Sequence, residues 1–213
     1  MSTTKAVSPI LLELCQFRPH PDLPDAEFRS ALRTSRTFLE NCPGFAGRTL
    51  LYSPSSMLWT DAVRWTSPAL AQEAFVRMAE IPDLRPLTEQ LVDVTMQHVP
   101  RVDELTIGAS PAPQDGCVYE VLTYRLKPGV SAGEYRAAMA AFGEAVAPLD
   151  GFVGREAFYG EESGLWVELI RYADQAAALR LGPIVMELPA AGRLFDAIDQ
   201  DSVGIHFGSE ASL

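Results

Sequence analysis

The chain lacks most of the features that would reveal its chemistry directly. Its 213 residues hold three cysteines, Cys15, Cys42 and Cys117, which are far apart, odd in number and in no CxxC pair. A disulfide framework is therefore excluded, and reduced thiols used as small core or surface residues fit a cytoplasmic protein. Lysine occurs only at Lys5 and Lys127, and 28 acidic residues against 17 basic ones leave a formal net charge of −11. Without a basic face to neutralise phosphates, a nucleic-acid partner is not expected. No stretch approaches the roughly 18 consecutive apolar residues of a membrane span, and the segment up to Ile10 does not read as a secretory signal, so no membrane partner is expected. Neither a glycine-rich phosphate loop nor a Ser-His-Asp or Cys-His nucleophile pattern is present. The histidines and carboxylates show no metal-ligand spacing, and no bound metal is expected.

What is present is a folding composition, 47% hydrophobic and 21% charged, and an internal repeat. Shifted by 107 residues, the chain matches itself without a gap over 12–92 against 119–199, with 20 identities in 81 pairs. Composition alone would give roughly one in fifteen. The pairs include Glu13 with Glu120, Arg18 with Arg125, Tyr52 with Tyr159, Trp59 with Trp166 and Arg64 with Arg171. Gly44-Phe45-Ala46-Gly47-Arg48 meets Gly151-Phe152-Val153-Gly154-Arg155. One inserted residue near the end brings His98 onto His206, since 206 − 98 = 108. This reads as two domains, 8–101 and 117–209, joined by a Gly-, Ser- and Pro-containing linker over 102–116.

Each copy opens with an alternating strand, continues through a proline turn into a helix, and returns in two strands joined by a tight turn. Ser131 and Glu134 read as a capping box. A second helical stretch follows, expected to break at Pro82 and Pro183, and a last strand ends the copy near Val99 and Phe207. The fold class is α+β: two fused ferredoxin-like βαββαβ units, each with strand order 4-1-3-2. Their apolar sheet faces would cover each other as an intramolecular α/β barrel, so the molecule is expected as a monomeric pseudo-dimer or a homodimer.

Several strings resemble the dimeric α/β-barrel proteins, among them the antibiotic-biosynthesis-monooxygenase-like and NIPSNAP-like groups. They are Tyr119-Glu-Val-Leu-Thr-Tyr-Arg-Leu-Lys-Pro-Gly129, Pro43-Gly-Phe-Ala-Gly-Arg48, Leu58-Trp-Thr-Asp-Ala-Val-Arg-Trp65 and Ile205-His-Phe207. The resemblance covers about 90 residues in each half. It implies the barrel fold and a small-molecule ligand, within a superfamily of cofactor-free monooxygenases, haem-degrading enzymes, isomerases and cyclases. Haem-degrading relatives carry an axial histidine on the second helix. Pro68–Met78 and Asp174–Leu181 carry none, so no cofactor is expected.

Strand alternation groups the candidates for chemistry. Glu13, Asp61 and His98 are expected side by side, with Glu120, Glu168 and His206 repeating the arrangement. A histidine next to a carboxylate is a plausible general base, because the neighbour raises its proton affinity and orients the ring. Trp59 and Trp166, Tyr52 and Tyr159, and Arg48 and Arg155 are the candidate substrate contacts. The same residues also read as core aromatics, satisfied hydrogen-bonding groups and surface ion pairs. Two functions are in view: a cofactor-independent monooxygenase, isomerase or cyclase acting on a flat aromatic or enolisable metabolite, and a non-catalytic metabolite-binding or structural barrel.

Overall fold

A computed structural model describes residues 10–108, 116–211 and 213. The described residues fall into two compact units, 10–50 with 55–100, 211 and 213, and 51–54 with the described part of 101–210. The element order of the first copy is β1 (Leu11–Pro19), α1 (Asp25–Glu40), β2 (Phe45–Ser53), β3 (Leu58–Trp65), α2 (Pro68–Ala79), a 3₁₀ turn, α3 (Arg85–Thr88) and β4 (Leu91–Pro100). The second runs β5 (Val118–Leu126), α4 (Ala132–Val146), β6 (Phe152–Gly160), β7 (Leu165–Tyr172), α5 (Gln175–Met186), α6 (Pro189–Asp196) and β8 (Ile198–Glu210). Neighbouring strands follow β4-β1-β3-β2 and β8-β5-β7-β6, which is the order 4-1-3-2 twice. The class is α+β with antiparallel, ferredoxin-like pairing.

The helices form where the apolar residues recur at three- and four-residue spacing. In α1 Phe28, Leu32, Ser35 and Leu39 are buried; in α4 the residues 107 positions later, Tyr135, Met139, Phe142 and Val146, are buried. Ser131 caps α4, its hydroxyl accepting from the Glu134 N–H at 3.1 Å and satisfying a donor that the first helical turn leaves open. Both helices give way to glycines in the left-handed region, Gly44 at φ 79° and Gly151 at φ 94°, which side-chain-bearing residues adopt only with strain.

Two expectations change. Pro183 does not break its helix: α5 continues through it to Met186, and the break comes at Leu188 before Pro189. Leu179, whose carbonyl the proline leaves without a donor, is on an exposed turn, where water supplies the missing bond. The expected linker is also partly structural. Val102 and Leu105 are buried in the core of the second unit, and Ile107 exchanges backbone hydrogen bonds with Arg155 at 2.8 Å. The stretch 109–115 of that linker lies outside the described residues. No described helix is long and apolar enough to cross a membrane.

Candidate functional site

Each unit holds a cavity between its own sheet and its own helices. In the first, Glu13, Cys15 and Phe17 of β1 and Asp61, Val63 and Trp65 of β3 form the floor, and residues of α1 and α2 form the roof over about 230 Å³. In the second, Glu120, Leu122 and Tyr124 of β5 and Glu168, Ile170 and Tyr172 of β7 play the same part around about 390 Å³. The second volume is within the range of small-molecule sites, and its wall is mostly apolar with a few converging polar groups.

The first cavity carries a charged clamp on its wall. Arg48 on β2 donates from Nε and Nη2 to the two oxygens of Asp61 at 2.8 and 2.7 Å, and from Nη1 to Ser35 Oγ at 2.9 Å. Parallel donation of this kind is the strongest carboxylate–guanidinium geometry. Glu13 is opposite His98, whose Nε2 is 3.0 Å from Glu13 Oε2. His98 is nearly half exposed and is not part of the cavity wall. Asp61 pairs with Cys15, not Glu13, so it is on the same face but two residues further along the strand than expected. The Cys15 thiol is pushed up to about 12 by burial, then by the charges of Asp61 and Glu13, which keeps it a protonated, inert group.

The second cavity has the same frame but different polar chemistry. Three apolar aromatics of the first copy, Phe17, Phe28 and Trp65, have tyrosines at the 107-residue offset: Tyr124, Tyr135 and Tyr172. Tyr172 donates to Glu120 Oε2 at 2.8 Å. Tyr135 donates to the Tyr124 hydroxyl at 3.0 Å, and Tyr124 donates to Glu168 Oε1 at 2.6 Å. Burial raises the Glu120 carboxyl above its ordinary range; the Tyr172 hydrogen bond opposes this and the Glu168 charge adds to it. Burial, followed by the nearby carboxylates, holds Tyr124 and Tyr172 as neutral phenols.

The structure corrects the placement of His206. In β5–β8 it is Phe207 that lies opposite Glu120, while His206 lies opposite Val121 and points to the other sheet face. The register equivalent of His98 is therefore Phe207, since 207 − 98 = 109 and not 108. The cause is a bulge of unequal length. Two residues lie between Val92 and Thr95 in β4 (95 − 92 − 1), and four lie between Asp199 and Gly204 in β8 (204 − 199 − 1). Two extra residues leave the alternation in phase, whereas counting the insertion as one exchanges the faces. Glu120 and Glu168 line one cavity, and His206 is on the opposite sheet face from Glu120.

The aromatic candidates are corrected as well. Trp59 and Trp166 are 4% and 0% exposed and line neither cavity. Trp59 packs edge-on against Phe28 at 5.1 Å; Trp166 is enclosed by Tyr124, Tyr135 and Tyr159. Tyr159 stacks on that tryptophan and carries the Arg136 guanidinium over its ring; it and the half-buried Tyr52 line neither cavity. Arg48 and Arg155 do line the two cavities. Sequence reasoning missed Tyr124, Tyr135 and Tyr172. Their signal was present in the repeat itself, as three apolar aromatics exchanged for phenols in one copy only.

The lining residues do not suit haem. They include no imidazole, the Cys15 thiol is held protonated, and the tyrosines are held as phenols. No group of three or more metal-ligating side chains occurs among the described residues.

No protein-family model matches the chain, and no curated protein matches it. Solved structures do. An anthrone oxidase-like protein aligns with a TM-score of 0.70 and 12% identity, over 95% of this chain and 92% of its own. A chlorite dismutase from Candidatus Nitrospira defluvii, solved with imidazole, aligns with a TM-score of 0.66 and 12% identity, over 95% and 91%. A proposed monooxygenase from Lactobacillus acidophilus aligns with a TM-score of 0.66 and 9% identity, over 95% and 93%. At these identities the likeness is one of fold, and over nearly its whole length the chain has the ferredoxin-like α/β fold that these monooxygenase-like and chlorite dismutase proteins share.

Proposed function

We propose that the second unit binds a flat, enolisable or phenolic small molecule in its helix-side cavity and moves a proton to or from it through Glu120. The observation that carries this is a roomy, mostly apolar pocket in which the half-buried Glu120 carboxyl is raised in proton affinity and oriented by a phenol. A base whose pKa is lifted toward the working pH is the more effective acid–base catalyst. Tyr172 holds the carboxyl by one oxygen and leaves the other for the ligand. His98 and His206 have no part in this reading.

Proton removal gives an enolate or phenolate, which is the electron donor in cofactor-independent oxygenation. Returning the proton at a different carbon would instead make the protein an isomerase or cyclase. The fold neighbour described as anthrone oxidase-like suggests the first test compound. Anthrone is flat and enolisable, and its oxidation balances as anthrone plus O₂ to anthraquinone plus water. The expected result is anthrone-dependent O₂ uptake, or solvent deuterium entering its methylene group, above the spontaneous rate. Glu120→Gln should lower either rate by about a hundredfold or more while anthrone still binds. Binding with no enhancement of either reaction would leave a metabolite-binding protein and end the catalytic reading.

We also propose that the two units close on each other as an intramolecular α/β barrel, in a monomeric pseudo-dimer or a homodimer.

A further inference from the structure

The two arginines at equivalent positions are held in opposite ways. Arg48 has its carboxylate at 2.7 and 2.8 Å and a serine hydroxyl at 2.9 Å. Arg155 has the corresponding carboxylate, Glu168, within ion-pair range, but its nearest oxygen is 3.6 Å away, beyond hydrogen-bond distance. The serine at position 35 is replaced by Phe142. The hydrogen-bond acceptors of Arg155 are two backbone carbonyls, Met139 O at 3.2 Å and Leu105 O at 3.5 Å, both from Nη2, and its guanidinium stands over the Phe142 ring. Its Nε is buried with no hydrogen-bond partner, and the side chain as a whole is 3% exposed.

The cause is Tyr124. Its hydroxyl takes Glu168 Oε1 at 2.6 Å and is itself held by Tyr135. In the first copy Phe17 stands at that position and has no hydroxyl to compete with Arg48. A guanidinium removed from water with donors unused carries a desolvation penalty that a ligand oxygen can relieve. Arg155 is part of the cavity wall that Glu120 also lines.

We infer that Tyr124 is a positioning residue that draws Glu168 away from Arg155, so that Arg155 receives the carbonyl or enolate oxygen of an aromatic ketone ligand in the second cavity. This rests on the proposed function for the existence of the ligand and deepens it by naming the oxygen and its receptor. The first cavity, where Nε and both terminal nitrogens of Arg48 already donate to Asp61 and Ser35, is not a ketone site.

The test compares 2-acetonaphthone with 2-ethylnaphthalene, a near-isostere lacking the acceptor oxygen, by equilibrium dialysis. The unsubstituted protein should prefer the ketone by about tenfold, the value of one hydrogen bond to a charged donor. Tyr124→Phe should remove that preference, because Glu168 then returns to Arg155. In a Glu168→Gln background the preference should persist, and adding Tyr124→Phe should change it by less than twofold. A loss on Tyr124→Phe that is equal in both backgrounds would show that the phenol merely shapes the cavity, and would overturn the inference. Should Tyr124→Phe not fold, Glu168→Gln alone decides: loss of the ketone preference there refutes the inference. Equal binding of both compounds by the unsubstituted protein refutes it while leaving the cavity reading intact; binding of neither removes both.

Discussion

Removing the carboxylate of Asp61 should be far more damaging than removing the whole ion pair. The Arg48 and Asp61 side chains are 8% and 15% exposed, and Asp61 accepts two of the three side-chain hydrogen bonds that Arg48 donates. In Asp61→Ala the guanidinium stays buried with Ser35 as its one remaining partner, and unpaired charges of this kind cost about 3–5 kcal/mol. Replacing both members by apolar residues of similar size, Arg48→Met with Asp61→Leu, removes the buried charge along with its partner and should cost within about 1 kcal/mol. Urea unfolding followed by tryptophan fluorescence resolves this. In a Trp166→Phe background the signal comes from Trp59 and Trp65, both in the first unit. With a slope of about 2 kcal/mol per molar, the single substitution should lower the midpoint by about 1.5–2.5 M and the double by about 0.5 M or less. A single-mutant shift below about 0.5 M, or a double mutant as unstable as the single, would refute the view that the clamp is a buried and mutually dependent pair.

Stability should also fall as pH rises from mildly acidic values, with Glu120 as one source. Its carboxyl has a higher proton affinity folded than unfolded, so between the unfolded and folded pKa values the native state binds more protons and loses stability with rising pH; Glu120→Gln should flatten that stretch of a urea-midpoint profile, and an unchanged profile would count against the shift. Cys15 is half-buried rather than hidden, yet its thiol is raised from 9.0 to about 12, so it should react with iodoacetamide at pH 8 roughly a thousandfold more slowly than an unperturbed thiol. Peptide mass spectrometry checks this, and labelling of Cys15 at the rate of a free thiol would contradict it.

Much of the fold was legible because it depends on local pattern. The alternation in Val118–Leu126, the three- and four-residue spacing in α1 and α4 and the glycines after them are all properties of short stretches, and both copies state them. The Glu13–His98 pairing followed from strand order and alternation in the same way. His206 did not, because its face depends on how many residues the β8 bulge absorbs, and a single-gap alignment assigned the insertion as one residue where the register shows two. Trp59 and Trp166 were candidates because large aromatics suit both ligand platforms and cores; which of the two they serve depends on what packs around them, Phe28 of α1 on Trp59, and Tyr135 of α4 with Tyr124 of β5 on Trp166.

By itself the sequence determined the element order, the strand order within each copy, and the conservation of a carboxylate and an arginine at matching positions, since these arise from periodicity and repetition. Only the tertiary structure decided which carboxylates meet which donors. Phe17 and Tyr124 differ by one hydroxyl, and its effect on Arg155 is felt through Glu168, on another strand, within a few tenths of an ångström of hydrogen-bond range. Hydrogen bonds are that steep in distance, so packing, not spacing along the chain, separates a closed clamp in one unit from an open donor in the other.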